Sequence, residues 1–259
     1  MPIDFQPAPE SPGIAFVTLS NPGKLGAMNR AMWRELRAVF EAAQHDGALR
    51  CVVVRGEGGG FCAGGDISEY PDFRFQADSL RAFHEGDVWG ALQAMLDCDV
   101  PIVAQIEGAC MGAGVEIAAC CDIRIAADSA RFGAPIARLG FPMAPREAQL
   151  VARTAGLLTA REMLLEAAVF TAAQMADRGF LNRVMPTSEA VSEVASDAAA
   201  EALASARRIA ALAPQAARLN KQTLRLWGQP PENDVFAYAD SAEHREGITA
   251  FLQKRQPAF

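Results

Sequence analysis

Two stretches narrow what this chain can fold into. "CVVVRGEGGG" (51–60) and "PIVAQIEGACMGAG" (101–114) each begin with a short β-branched run and empty into glycines, and the second leads directly into a helical run. Strand, glycine turn and helix, repeated along one chain, build a sheet with helices packed on it, which is an α/β fold. "GIAFVTLS" (13–20) predicts a further strand. "NRAMWRELRAVFEAAQHD" (29–46) carries Met32, Trp33, Leu36, Val39, Phe40 and Ala43 at helical spacing, with Asn29 as N-cap. Residues 79–98 return to helical spacing, and "IRIAADSARFGA" (123–134) predicts one or two short strands about a turn. From about residue 144 the chain turns Ala- and Leu-rich with helical periodicity, so its last third is expected to be mostly helical.

At 259 residues the chain is near the upper end of what one hydrophobic core supports, so one large domain with a smaller appendage is expected. No stretch approaches the ~20 continuous apolar residues of a membrane span. "MPIDFQPAPESPG" lacks the basic and apolar regions of a signal peptide, so a cytoplasmic location is expected. The six cysteines form no C-x-x-C pair and no Cys/His cluster, which predicts buried free thiols and no metal. A net charge of −7 argues against a nucleic-acid coat and leaves room for a local basic site.

Chemistry concentrates where the glycines are. In "GEGGGFCAGGDI" (56–67) they let backbone N–H groups approach a ligand, although such a loop also serves as a plain turn. In "ACMGAGVEI" (109–117) small residues lead into a helix, whose first N–H groups are unsatisfied and sit at the positive end of its dipole. Two donors from two such stretches would stabilise an oxygen developing negative charge. Glu116 is the one carboxylate within the small and apolar run "MGAGVEIAACC" (111–121). A carboxyl against an apolar wall has a raised pKa and exchanges protons near neutrality. The competing reading is a buried Glu paired with Arg124 or Arg131.

Of the three histidines, His84 is expected on an exposed helix face, with substrate contact as the alternative. His45 closes a helix as a dipole partner, and His244 sits among charges near the tail. No Ser-His-Asp order or supported Cys-His pair emerges.

Taken in order, "NPGKLGAMN", "VVVRGEGGGFCAGGDI", "PIVAQIEGACMGAGVEIAACCDIRIAADSARFGAPIARLGFP" and "EGITAFLQKRQPAF" resemble the enoyl-CoA hydratase/isomerase (crotonase) superfamily over most of the chain. The resemblance implies a spiral of ββα units (1–195) carrying an acyl-CoA site. A helical C-terminal region (196–259) would mediate homo-trimers or hexamers. It implies an acyl-CoA thioester substrate, no separate cofactor (CoA arrives with the substrate), and no nucleic-acid or membrane partner.

Residue by residue, Ala63 and Ala113 match the two backbone donors to the thioester oxygen. Gly64, Gly65 and Asp66 continue along the acyl-CoA, Lys24 and Leu25 along the CoA moiety, and Gly26 replaces a common Asn. Lys254 and Arg255 resemble basic residues near the CoA phosphates, and equally suit solvated charges. Asp122 fits a recurring structural Cys-Asp-Ile step. Glu116 matches the first of the two hydratase glutamates.

The position of the second glutamate is held by Ile136, which cannot carry a proton. In "GFPMAPREAQL" (140–150), which departs from the family's Pro-Gly-x-Gly-Gly run, Met143, Pro145 and Arg146 are expected to make the pocket wall bulkier and more basic. Phe141 and Met143 suggest an apolar or aromatic acyl group. Glu147 is the nearest new carboxylate and is expected to be a helix-dipole partner, with direct chemistry as the alternative.

Hydration or dehydration of an enoyl-CoA is therefore the first reading, with Glu116 as the single proton-transfer group. Isomerisation, decarboxylation or C–C cleavage (with Arg138 or Arg146 as carboxylate partner), or a catalytically weak CoA-binding or assembly subunit, are the alternatives.

Overall fold

Buried β-branched runs form the sheets. The strands are β1 (Ile3–Pro7), β2 (Ile14–Leu19), β3 (Cys51–Gly56), β4 (Ile102–Ile106), β5 (Ala109–Met111), β6 (Ile123–Ala127), β7 (Arg131–Gly133), β8 (Val169–Thr171) and β9 (Arg183–Met185). The structure, a computed structural model, describes residues 2–187, 196–226, 234 and 236–259. Six strands make one sheet in the order β1-β2-β3-β4-β6-β9, antiparallel between β1 and β2 and parallel beyond. The other three form a small sheet, β5-β7-β8. β1 lies in the Pro-rich start, which carries no clear strand pattern. As an edge strand it tolerates Pro2 and Pro7 at its ends.

Parallel neighbours require crossovers, and these supply the helices. α1 (Arg30–His45) follows β2, and the Asn29 side chain accepts from the Met32 N–H as its cap. Between β3 and β4 run α2 (Ala77–Ala82), a π-helical segment (Phe83–Val88) and α3 (Trp89–Asp97) without a break. The helical spacing of 79–98 is realised, but six of its residues are widened into a π-helix, a distortion frequent at functional sites. α4 (Ala113–Cys120) follows β5, and all eight of its residues are buried.

Then come α5 (Pro145–Ala155), α6 (Leu157–Leu165), α7 (Ala172–Asp177), α8 (Asp197–Ala210), α9 (Pro214–Arg225) and α10 (Ala242–Gln253). One face of the large sheet packs Trp33, Leu36, Phe40, Leu92, Met95 and Ile117. Parallel sheets need cover on both faces. Here the other face is closed by α8, whose Ala202 and Ala206 meet Val53, Val103 and Ile125. Residues beyond 195 thus begin inside the same packed body. α9 is fastened by Lys221 to Asp122 at 2.8 Å and by Arg225 to Asp99 at 2.9 Å. Asp122 also accepts from the Ile102 N–H at 2.7 Å, which makes it a structural residue. All six cysteines are buried and free.

Candidate active site

The two glycine stretches meet. The Cys62 N–H donates to the Ala109 carbonyl at 2.8 Å, and the Met111 N–H donates back to the Cys62 carbonyl at 2.9 Å. On the far side, the Met28 N–H donates to Gly64 and the Asp66 N–H to Met28, both at 2.8 Å. The loop 61–66 is therefore stitched between residue 28 and the lead into α4. That contact is possible because residue 114 is glycine: a Cβ there would lie 2.6 Å from the Cys62 carbonyl oxygen.

This stitching decides which N–H groups are free. The Ala63 N–H donates to the Leu25 carbonyl at 3.0 Å, so Ala63, expected as one of two open donors, is already satisfied. Two residues on, the Gly65 N–H forms no hydrogen bond among the described residues, and Gly65 borders the cavity described below. The open N–H of this loop thus lies two positions beyond the one expected. The pairing of Leu25 with Ala63 is a tertiary contact that no local pattern announces. A Cβ at residue 65 would overlap the Tyr70 hydroxyl, so any larger residue there requires the Tyr70 side chain to shift. Ala113, expected as the second donor, opens α4, where a first-turn N–H has no intrahelical acceptor.

Gly65, Ala113 and Glu116 border a cavity of about 350 Å³. Glu116 lies one turn beyond Ala113 on the same helix face. It is 6% exposed, and no side chain among the described residues pairs with its carboxyl. Burial, reinforced by the charge of Glu147, raises its pKa well above the ordinary carboxylate value. Neither arginine considered as its partner is one. Arg124 donates to the carbonyls of Phe180 and Cys121, and Arg131 to those of Ser129 and Ala130.

Glu147 stands in the first turn of a helix as expected, while His84, expected on an exposed face, is turned toward it. Glu147 is only 3% exposed in the first turn of α5, and His84 points inward from the π-helical segment. Nδ1 of His84 lies 2.9 Å from Oε1 of Glu147, and both residues border the cavity that holds Glu116. Their approach was readable in part. Glu147 falls on the buried stripe of α5 with Leu150 and Val151, a position unlike that of a solvated dipole partner.

Ile136 does line the cavity, with Phe141 and Met143. Arg146 does not: its guanidinium sits over the Trp89 ring at 5.6 Å. The cations of the wall are Arg138 and Arg74, the latter stacked on Tyr70 and Phe141 at 4.3 and 4.1 Å. Arg74 gave no signal in the sequence.

Of the residues expected along the acyl-CoA, Gly64 and Gly65 border this cavity, whereas Lys24, Leu25, Asp66 and Lys254 lie outside it. Lys24 grips both carboxylate oxygens of Asp66 at 2.9 and 2.7 Å and the Ser68 hydroxyl at 2.8 Å. Burial alone would raise the Asp66 pKa, and the bonds from Lys24 and Ser68 bring it below the ordinary value. Leu25 is half exposed beside them. Lys254 caps the end of α10, and Arg255 is paired with Glu246 at 2.6 Å, so the single chain does not bring the tail cations to the cavity.

The sheet order defines an α/β protein, in which a buried carboxyl and two free N–H groups border one cavity. Comparison with known proteins narrows the class. The family model for enoyl-CoA hydratase/isomerase matches residues 10–259. The chain is 32% identical over 247 residues to the 2,3-dehydroadipyl-CoA hydratase of Escherichia coli, covering 95% of this chain and 94% of that one. It is 30% identical over 257 residues to a probable enoyl-CoA hydratase of Mycobacterium bovis, with the same coverage of 95% and 94%. The crystal structure of an enoyl-CoA hydratase/carnithine racemase from Magnetospirillum magneticum matches at TM-score 0.90 and 36% identity, over 100% of this chain and 95% of that one. The chain belongs to the enoyl-CoA hydratase/isomerase family of the crotonase superfamily.

Proposed function

We propose that the protein is an enoyl-CoA hydratase-type lyase that polarises an acyl-CoA thioester at the N–H groups of Gly65 and Ala113 and moves a proton with Glu116. The observation that carries this reading is the convergence of the two free N–H groups and the buried carboxyl on one cavity. The thioester oxygen would accept from both N–H groups, and negative charge reaching it on enolate formation is stabilised by donors already in place. Glu116, shifted toward its protonated form by burial and by the charge of Glu147, is suited to deliver a proton to the carbon next to the carbonyl. CoA enters as part of the substrate, so the proposed chemistry calls for no separate cofactor. A cytoplasmic homo-trimer or hexamer is part of the same reading.

A one-base isomerisation is the second reading, favoured by the presence of Ile136 in the cavity wall. Incubating the protein with crotonyl-CoA and a panel of 2-enoyl and 3-enoyl thioesters, and following enoyl absorbance, separates the two. Loss of absorbance with crotonyl-CoA, abolished in Glu116→Gln with acyl-CoA binding retained, is the expected result. Gain of 2-enoyl absorbance from 3-enoyl substrates alone would favour isomerisation, and absence of acyl-CoA binding would sink both.

A further inference from the structure

We infer that Glu147, oriented by His84, is the second acid–base carboxyl of this site, reaching the cavity from α5 in place of the group that Ile136 lacks. The inference rests on the acyl-CoA reading above. Glu147 is buried at 3% exposure on the same cavity as Glu116, and its carboxylate meets the His84 imidazole at 2.9 Å. A buried carboxyl aimed at a cavity is costly unless it is paired or used, and here it is both. α5 positions it because Pro145 at the helix start and the Leu150/Val151 stripe leave residue 147 only an inward direction. The π-helical segment does the same for His84, which sits on the turn that the distortion widens. The remaining titratable groups facing the cavity are Tyr70, Arg74, Arg138 and Glu116.

The pair assigns the steps of hydration. Glu147, ionised, takes a proton from a water molecule as the water oxygen bonds to C3 of the enoyl thioester. The C2=C3 π electrons pass to the thioester oxygen, held by Gly65 and Ala113. Glu116, protonated, gives its proton to C2 as the carbonyl re-forms. Water is thus divided between C3 and C2, and the proton left on Glu147 returns to Glu116 through solvent. The charge on Glu147 favours the protonated form of Glu116 that this division requires. His84 is a positioning residue, since it acts through Glu147.

The test compares Glu147→Gln, Glu116→Gln and His84→Gln with the native protein, using crotonyl-CoA for turnover and the saturated butyryl-CoA for binding. Both Glu variants should bind butyryl-CoA within about threefold of native and lose hydration by about 10²–10⁴-fold. Glu147→Gln turning over within about threefold of native while Glu116→Gln is dead would overturn the role of Glu147 and leave the proposed function standing. Native protein that binds no butyryl-CoA would instead overturn both. His84→Gln should lower kcat with KM nearly unchanged and displace the acid limb of the kcat/KM profile, which a merely structural histidine would not do. Should Glu147→Gln fail to show a cooperative thermal transition, a His84→Gln profile superimposable on native overturns the inference.

Discussion

A carboxyl kept neutral inside a protein weakens the fold at any pH where the unfolded chain would ionise it. Glu116 is in that position, its pKa raised well above 4.5 by burial and by the charge of Glu147. The native form holds its proton over a pH range in which the unfolded form has lost it. Stability is therefore undiminished below the unfolded pKa and falls as pH rises toward the folded one. Glu116→Gln removes this liability while keeping the shape. It should melt at a higher temperature than native at pH 8, with the gap closing below about pH 4. Melting curves at the two pH values check this, and a variant less stable than native at pH 8 would contradict the uncompensated burial. At this scale the sequence placed Glu116 and Ala113 at the start of a helix from their local setting, and both border the cavity. The depth of Glu147 was not legible because it depends on the face α5 turns inward, and the bond of the Ala63 N–H was not because its acceptor is a distant carbonyl.

Elements show the same division between local pattern and tertiary contact. β2, β3, β4, α1 and α4 follow from runs and periodicity, whereas β1 and the π-helical segment are stabilised by neighbours rather than by their own composition. Two glycines in helical segments make this measurable. At Gly114 in α4 a Cβ would press on the backbone oxygen of Cys62 at 2.6 Å, with no flexible atom able to yield. Gly114→Ala should destabilise by about 1–3 kcal/mol and lower turnover further, because α4 also carries Ala113 and Glu116. At Gly86, exposed in the π-helical segment, a Cβ meets nothing within 4 Å. Gly86→Ala should be neutral or stabilising by up to about 1 kcal/mol, with turnover unchanged. Denaturant titration of both variants gives the two signs. Equal effects would mean that α4 and the loop 61–66 are not in the close contact described.

For the molecule as a whole, the unspent feature is the outer face of α10. Ile248, Phe251 and Leu252 recur at i, i+3 and i+4, so they form one stripe, and Phe251 and Leu252 are 81% and 75% exposed. A monomer has no reason to keep such a stripe in water, and surfaces of this kind mark contact sites. The C-terminal helices were expected to mediate trimers, and the stripe supplies an apolar surface suited to that contact. Each of these side chains contributes about 1.5–3 kcal/mol when buried, so placing a charge at one of them should shift the assembly toward single chains. Light scattering on the eluted native protein should give a mass that is a multiple of 27.6 kDa, three or six times being expected. Phe251→Glu should move the population toward 27.6 kDa while leaving the melt of the core largely intact, since Phe251 is largely exposed in the single chain. A native protein eluting at 27.6 kDa across micromolar concentrations would show that α10 keeps its stripe for something other than a second copy of the chain.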